Sequence, residues 1–218
     1  MPVNGTWPFR RSAKLILTRH GEALKNVRDE HGGIGTALTD RGRRQARALA
    51  EKIVFACDGK ADSVCLLAHD VPQVAETAKI VSSEIGLGEV MMDERLRGLN
   101  LGVIAGLSRA DAALEYPEAA RRLEEWRRGQ LLLNELRLPG AEPVDQFRRR
   151  VVAGLSEAVN NAQGAVAMVL TRSVLIMATN LLSLEDQFSY EMYRSYEFPP
   201  ATLCAWHVAS DRARLLGD

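Results

Sequence analysis

At 218 residues, 46% of them hydrophobic and 26% charged, the chain is long enough to bury a sizeable core and has the composition of a soluble globular protein. Lys plus Arg and Asp plus Glu each number 28, so no global field favours nucleic acid or a membrane surface, and an anionic ligand must be met by a local cluster. Three cysteines, Cys57, Cys65 and Cys204, fit neither a disulfide framework nor a CxxC metal pattern, and no apolar stretch reaches the roughly 18 to 20 residues of a bilayer span.

The first stretch, "MPVNGTWPFRRSAK", lacks the apolar centre of a secretory leader, so a reducing cytoplasm is the expected setting. Short runs rich in Val, Ile and Leu then alternate with longer amphipathic stretches, the rhythm of a parallel sheet with helical crossovers. The first predicted strand is Lys14 to Thr18. Thr39 reads as the N-cap of a helix running to about Phe55, with Leu49, Ile53 and Val54 toward the sheet and "DRGRRQAR" toward water. A second strand, Ser63 to Ala68, precedes a helix from Pro72 to Ile85 that stops near Gly86. Between about 105 and 140 the sequence reads as a helical insertion, in which "YPEAARRLEEWRRGQ" is expected to form an exposed helix started by Pro117. Pro143 marks the start of another helix, along which Phe147, Val151, Leu155 and Ala158 recur at helical spacing. A strand from Ala165 to Thr171 and one from Thr202 to Val208 follow, with a turn at Asp211 and a short tail. The expected fold is a single α/β domain over residues 1–218: three layers, α/β/α, with helices on both faces of a mostly parallel sheet.

In such sheets ligands bind beyond the carboxyl ends of the strands. The first three predicted strands end in Arg19-His20, His69-Asp70 and Arg172-Ser173, and apolar runs ending in Thr-Arg occur twice, in "LILTRH" and "MVLTRS". Two guanidiniums and two imidazoles brought to one crevice, with the N–H groups of the following helices, suit a phosphate dianion.

Here the chain resembles a family. "LTRHGEALKN" is similar to the signature of the histidine phosphatase superfamily, also called phosphoglycerate mutase-like. The segments "GTALTDRGRRQARALA", "VAETAKIV", "DERLRGLNLGVIAGL" and "PGAEPVDQFRRRV" resemble, in order, further family segments, so the likeness runs along nearly the whole chain. The resemblance implies a phosphoglycerate mutase-like fold, no cofactor and a phosphate monoester as partner. It makes His20 the nucleophile, forming a phosphohistidine, with Arg19 stabilising the phosphoryl oxygens and Asn26 helping to bind them.

Three positions depart from the family pattern. Gln73 stands where the family has a second arginine, Gly98 where it has a glutamate that donates a proton, and Arg172 where it has a second histidine. An arginine keeps positive charge beside the phosphoryl group but cannot shuttle a proton. His69, Asp70 and Glu94 are the candidate replacement acids, and His31 lies in the loop "HGGIG", which could close over the site. His207 reads as structural, and the histidine spacings suggest no metal site. Two functions remain open: a phosphatase of weak or altered activity, with a true mutase disfavoured, or a non-catalytic pseudophosphatase that binds a phosphorylated ligand or partner. Neither the substrate nor the oligomeric state is legible.

Overall fold

The structure, a computed structural model, describes residues 8–183 and 198–216. The start of the chain, residues 1–7, and the last two residues of the tail lie outside the described residues. Among the described residues six strands form one sheet in the order β3-β2-β4-β1-β5-β6. Strands β1 (Ala13–Arg19), β2 (Val64–Ala68), β3 (Met91–Met92) and β4 (Ala165–Leu170) run parallel. Strands β5 (Leu203–Val208) and β6 (Ala213–Leu215) close one edge as an antiparallel hairpin, so the sheet is mixed.

The three longer parallel strands, β1, β2 and β4, are apolar because each is covered on both faces, whereas the edge strand β3 leaves Met91 and Met92 exposed. In β1 the side chains alternate: Ile16 joins the cluster under α2 (Asp40–Ala56) and α3 (Pro72–Ile85), while Leu15 and Leu17 join the larger cluster on the other face. That second face is covered by α6 (Val144–Asn161) and α7 (Arg172–Ser183), with α5 (Pro117–Arg127) and α4 (Arg109–Glu115) beyond them. Leu49 and Ile53 of α2 are 1% and 0% exposed, and burial of such side chains is worth about 1.5–3 kcal/mol each.

The helix signals read from sequence fall close to their observed places. Thr39 Oγ1 accepts from the Gly42 N–H at 3.0 Å and caps α2. Gly86 ends α3 with a φ of 70°, which favours glycine. One expectation needs correction: the segment around α5 is not an exposed helix. Ala119, Ala120, Leu123 and Trp126 recur at three- and four-residue spacing and are buried, leaving only the opposite face charged. Among the described residues no helix is long and apolar enough to cross a membrane.

The helices place the site. After β1 the chain enters α2 on one face, whereas after β4 it enters α7 on the other. Strands β1 and β4 are neighbours, so a crevice opens between their carboxyl ends, at the point where the winding reverses.

Candidate active site

Arg19 ends β1 and pairs in register with Leu170, the last residue of β4; Thr171 and Arg172 follow at once. The His20 N–H donates to the Leu170 carbonyl at 3.1 Å, stitching the two strand ends together. A cavity of about 1230 Å³ opens there, lined on this side by Arg19, Asn26, His69, Asp70, Gln73 and Arg172. Six of the eight candidate residues therefore converge on one space. His20 is 1% exposed and lies behind the cavity wall, and Glu94 reaches the site only through His69.

The state of His20 follows from its contacts. Its Nδ1 lies 2.7 Å from the Gly21 carbonyl oxygen, which can only accept, so Nδ1 carries the proton and Nε2 keeps its lone pair. Burial, then Arg19 and Lys25, push the imidazole down to about 3, so it is neutral at physiological pH. The backbone here is tightly set: Gly21 N–H donates to Thr77 Oγ1 at 3.1 Å, and a Cβ at Gly21 would stand 2.4 Å from the Gly42 carbonyl oxygen. This glycine is needed because α2 backs directly onto the loop. Glu22 does not line the cavity. Its carboxylate accepts from Thr39 Oγ1 at 2.8 Å and from Arg41, tying the loop to the start of α2.

Positive charge exceeds negative around the cavity: Arg19, Lys25, Arg97, Arg109, Arg127 and Arg172 line it, against Asp29, Glu30 and Asp70. The Arg19 guanidinium also donates to the Phe198 carbonyl, which fixes its plane. Asn26 Oδ1 accepts from the Ala23 N–H at 2.9 Å, holding the short helix α1 (Leu24–Val27). Gln73 is 1% exposed, and its Oε1 accepts from the Thr36 N–H at 3.0 Å. At the far end Arg127 donates to His31 Nδ1 at 3.1 Å. Burial first, then Arg127 and Arg109, push His31 down to about 4, so this imidazole is a neutral acceptor there.

His69, Asp70 and Glu94 form a second cluster. The Val71 N–H donates to His69 Nδ1 at 3.2 Å, which leaves the proton on Nε2. That N–H faces Asp70 Oδ1 at 3.2 Å and Glu94 Oε2 at 3.4 Å. Histidine spacing suggested no metal site, yet donor atoms of these three residues lie within 4.8 Å of one another. With Nδ1 occupied as an acceptor, the imidazole turns its Nε2–H, not a lone pair, toward the two carboxylates. His207 is exposed and paired with Lys14 near the opposite end of β1, away from the cavity.

Residues 15–217 match the sequence profile of the histidine phosphatase superfamily (branch 1). The chain belongs to that superfamily. Phosphoglycerate mutase-like protein 4 of Arabidopsis thaliana is 29% identical over 167 residues, 75% of this chain and 68% of that one. A mycobacterial glucosyl-3-phosphoglycerate phosphatase, solved as a complex with VO3, superposes with a TM-score of 0.74 at 26% identity, covering 93% of this chain and 96% of that one. A putative alpha-ribazole-5'-P phosphatase of Escherichia coli shares the fold, with a TM-score of 0.74 at 22% identity over 94% of each chain.

In this member of the superfamily, Gly98 lines the cavity beside the end of β4. A Cβ there would meet Thr171 Oγ1 at 3.1 Å and Ser173 Oγ at 3.5 Å. The loop holding it is fixed from behind by Arg150 of α6, which donates to the Arg95 carbonyl at 2.8 Å and the Gly98 carbonyl at 3.1 Å. Arg150 is itself held by the nearly buried Glu142 at 2.7 Å. Sequence reading missed Lys25, Arg97, Arg109 and Arg127. For Arg127 a signal existed, because it follows Trp126 on the helix whose Ala119, Ala120, Leu123 spacing marks a buried face.

Proposed function

We propose that this histidine phosphatase binds a phosphorylated small molecule in the cavity between β1 and β4 and hydrolyses it through a phosphohistidine at His20, with weak activity on alkyl phosphates. The observation that carries this reading is the pair Arg19 and Arg172 at adjacent parallel strand ends, beside a histidine held neutral with Nε2 as the lone pair. In the first step the His20 Nε2 lone pair forms the N–P bond while the P–O ester bond breaks, and the leaving oxygen keeps the electron pair. An alkoxide must take up a proton, and His69, Asp70 and Glu94, clustered at the end of β2, are the groups from which it would come. Water then attacks phosphorus, breaks the N–P bond and returns His20 to its neutral state. Arg19, Asn26 and Arg172 hold the phosphoryl oxygens and offset the charge they carry in the transition state. A structural relative at 26% identity named as a phosphatase and complexed with VO3 supports the hydrolase reading.

We also read residues 105–140 as an insertion that shapes specificity within one domain, since α4 and α5 bring Arg109, Trp126 and Arg127 to the cavity. A second reading, a pseudophosphatase that binds without turnover, is favoured by the 1% exposure of His20 and by Gly98. One experiment separates them. Turnover of p-nitrophenyl phosphate and of an alkyl phosphate is measured for the wild type and for His20→Ala. Turnover that disappears in His20→Ala supports the hydrolase; absence of His20-dependent turnover of either, with phosphate still raising the melting temperature, leaves the binding protein.

A further inference from the structure

Gln73 puts an uncharged amide where the family has its second arginine, and a cation, Lys25, lies close beside it along the cavity wall. Its Oε1 is engaged by the Thr36 N–H at 3.0 Å, so the amide is pinned and neutral. Thr36 in turn accepts, through Oγ1 at 3.0 Å, the backbone N–H of Lys25. Lys25 and Gln73 thus flank one threonine and line the same cavity. Lys25 acts electrostatically on Arg19 and on His20, the two residues that would meet the phosphoryl group. From the turn after α1 the carboxylate that bears on it is Glu30, which lies 3.6 Å from Arg28; Thr36 and Gln73, on the remaining side, carry no charge. Among the described residues Lys25 forms no ion pair within 4.0 Å.

We propose, resting on the phosphate-site reading above, that Lys25 joins Arg19 and Arg172 as a phosphoryl clamp of this protein, standing in for the arginine that the family has at position 73, and that it makes phosphate binding sensitive to alkaline pH. An arginine clamp stays charged at all accessible pH, but a half-buried lysine beside another cation does not. Burial and Arg19 push the Lys25 ammonium down to about 8. A bound dianion favours the charged form, so affinity is full below that value and falls as pH rises through it, by up to tenfold per unit.

The probe is inorganic phosphate, titrated calorimetrically at pH 7 and pH 9. Wild-type affinity is expected to fall roughly tenfold between them. Lys25→Met should weaken binding at pH 7 by roughly 10- to 100-fold, the worth of a charged hydrogen bond, and should remove the difference between the two pH values. Lys25→Arg should keep affinity at pH 7 and abolish the alkaline loss, and Gln73→Arg introduced into Lys25→Met should restore binding. The proposal is overturned if Lys25→Met binds as the wild type does, or keeps its pH dependence, while Arg19→Ala loses affinity. If the wild type itself does not bind phosphate, the site reading fails, and this inference with it.

Discussion

Gly98→Glu tests whether the site is limited by proton donation. Gly98 does not occupy the left-handed region, so a side chain is tolerated by the backbone. Its Cβ would press on Thr171 Oγ1 at 3.1 Å and Cγ2 at 3.4 Å, a crowding of a few tenths of an ångström. Such overpacking costs about 1–3 kcal/mol, offset by about 0.4–1 kcal/mol from removing a glycine's freedom in the unfolded chain. The net loss of about 1 kcal/mol corresponds to roughly 2–4 °C in Tm for a chain of this size. The loop cannot easily swing away, because Arg150 holds the Gly98 carbonyl and Ser173 Oγ holds the Leu99 N–H at 3.0 Å. A carboxyl at this position enters the cavity beside Arg172. General acid catalysis contributes about 10² to 10⁴ in rate, and most where the leaving group is a poor one. We therefore expect kcat/KM on glycerol 3-phosphate to rise by roughly 10²-fold, with turnover of p-nitrophenyl phosphate changed by less than about threefold. Gly98→Gln, of the same size without a transferable proton, should not give the gain on the alkyl substrate. Equal gains from Glu and Gln, or a Glu variant that binds phosphate normally yet gains nothing on the alkyl substrate, would refute the reasoning.

Stability should depend on pH through the two buried imidazoles. His20 and His31 are neutral in the fold, pushed to about 3 and about 4, whereas in the unfolded chain each titrates at its ordinary value of 6.5. The unfolded state thus binds more protons below that value, and stability, level above it, falls as pH drops toward 4. Denaturant midpoints between pH 7.5 and 5 should decline, and His31→Gln should flatten the decline; a flat wild-type profile would contradict the assigned states. Gly42→Ala should destabilise by roughly 1–3 kcal/mol despite its better helix propensity, because its Cβ would lie 2.0 Å from the backbone oxygen of Glu22. Gly88→Ala, with nothing within 4 Å, should change stability by less than about 0.5 kcal/mol, and equal melting temperatures for the two variants would remove the close-approach argument.

What sequence periodicity resolved well was whatever is decided locally. Thr39, Pro72 and Gly86 mark helix ends because capping and φ preferences act within one turn, and the three long parallel strands are apolar on both faces. The antiparallel sense of β5 was not legible, since "TLCAWHVAS" is equally a strand whichever way it runs. The character of α5 was misread for a different reason: arginine and glutamate dominate its composition, and the four buried side chains matter only through their spacing. Within the site, Arg19, His20 and Arg172 could be found because strand ends meet at a predictable edge. Lys25 and Arg109 could not, because they reach the cavity from a one-turn helix and from the segment 105–140, whose path depends on tertiary packing. The grouping of Glu94 with His69 likewise depends on the 3-10 turn Glu94–Leu96 lying beside the end of β2, which no spacing rule foretells.

The charges around the cavity form one coupled set rather than a list of contacts. The chain carries equal numbers of acidic and basic residues, so the cationic excess is a local arrangement that the rest of the surface cancels. That has a chemical consequence before any ligand arrives: burial, aided by Arg19 and Lys25, keeps His20 neutral, and burial, aided by Arg127 and Arg109, does the same for His31. A phosphate dianion entering this field reverses each sign, favouring protonation of the same imidazoles while relieving the repulsion among the cations. His20 can then act as a nucleophile only if Nε2 attacks before it is protonated, and burial is the largest force holding it neutral. The low exposure of His20, which taken alone speaks for an idle residue, is also what preserves its lone pair beside a dianion. The two functional readings therefore differ in access to Nε2, not in the protonation of the ring.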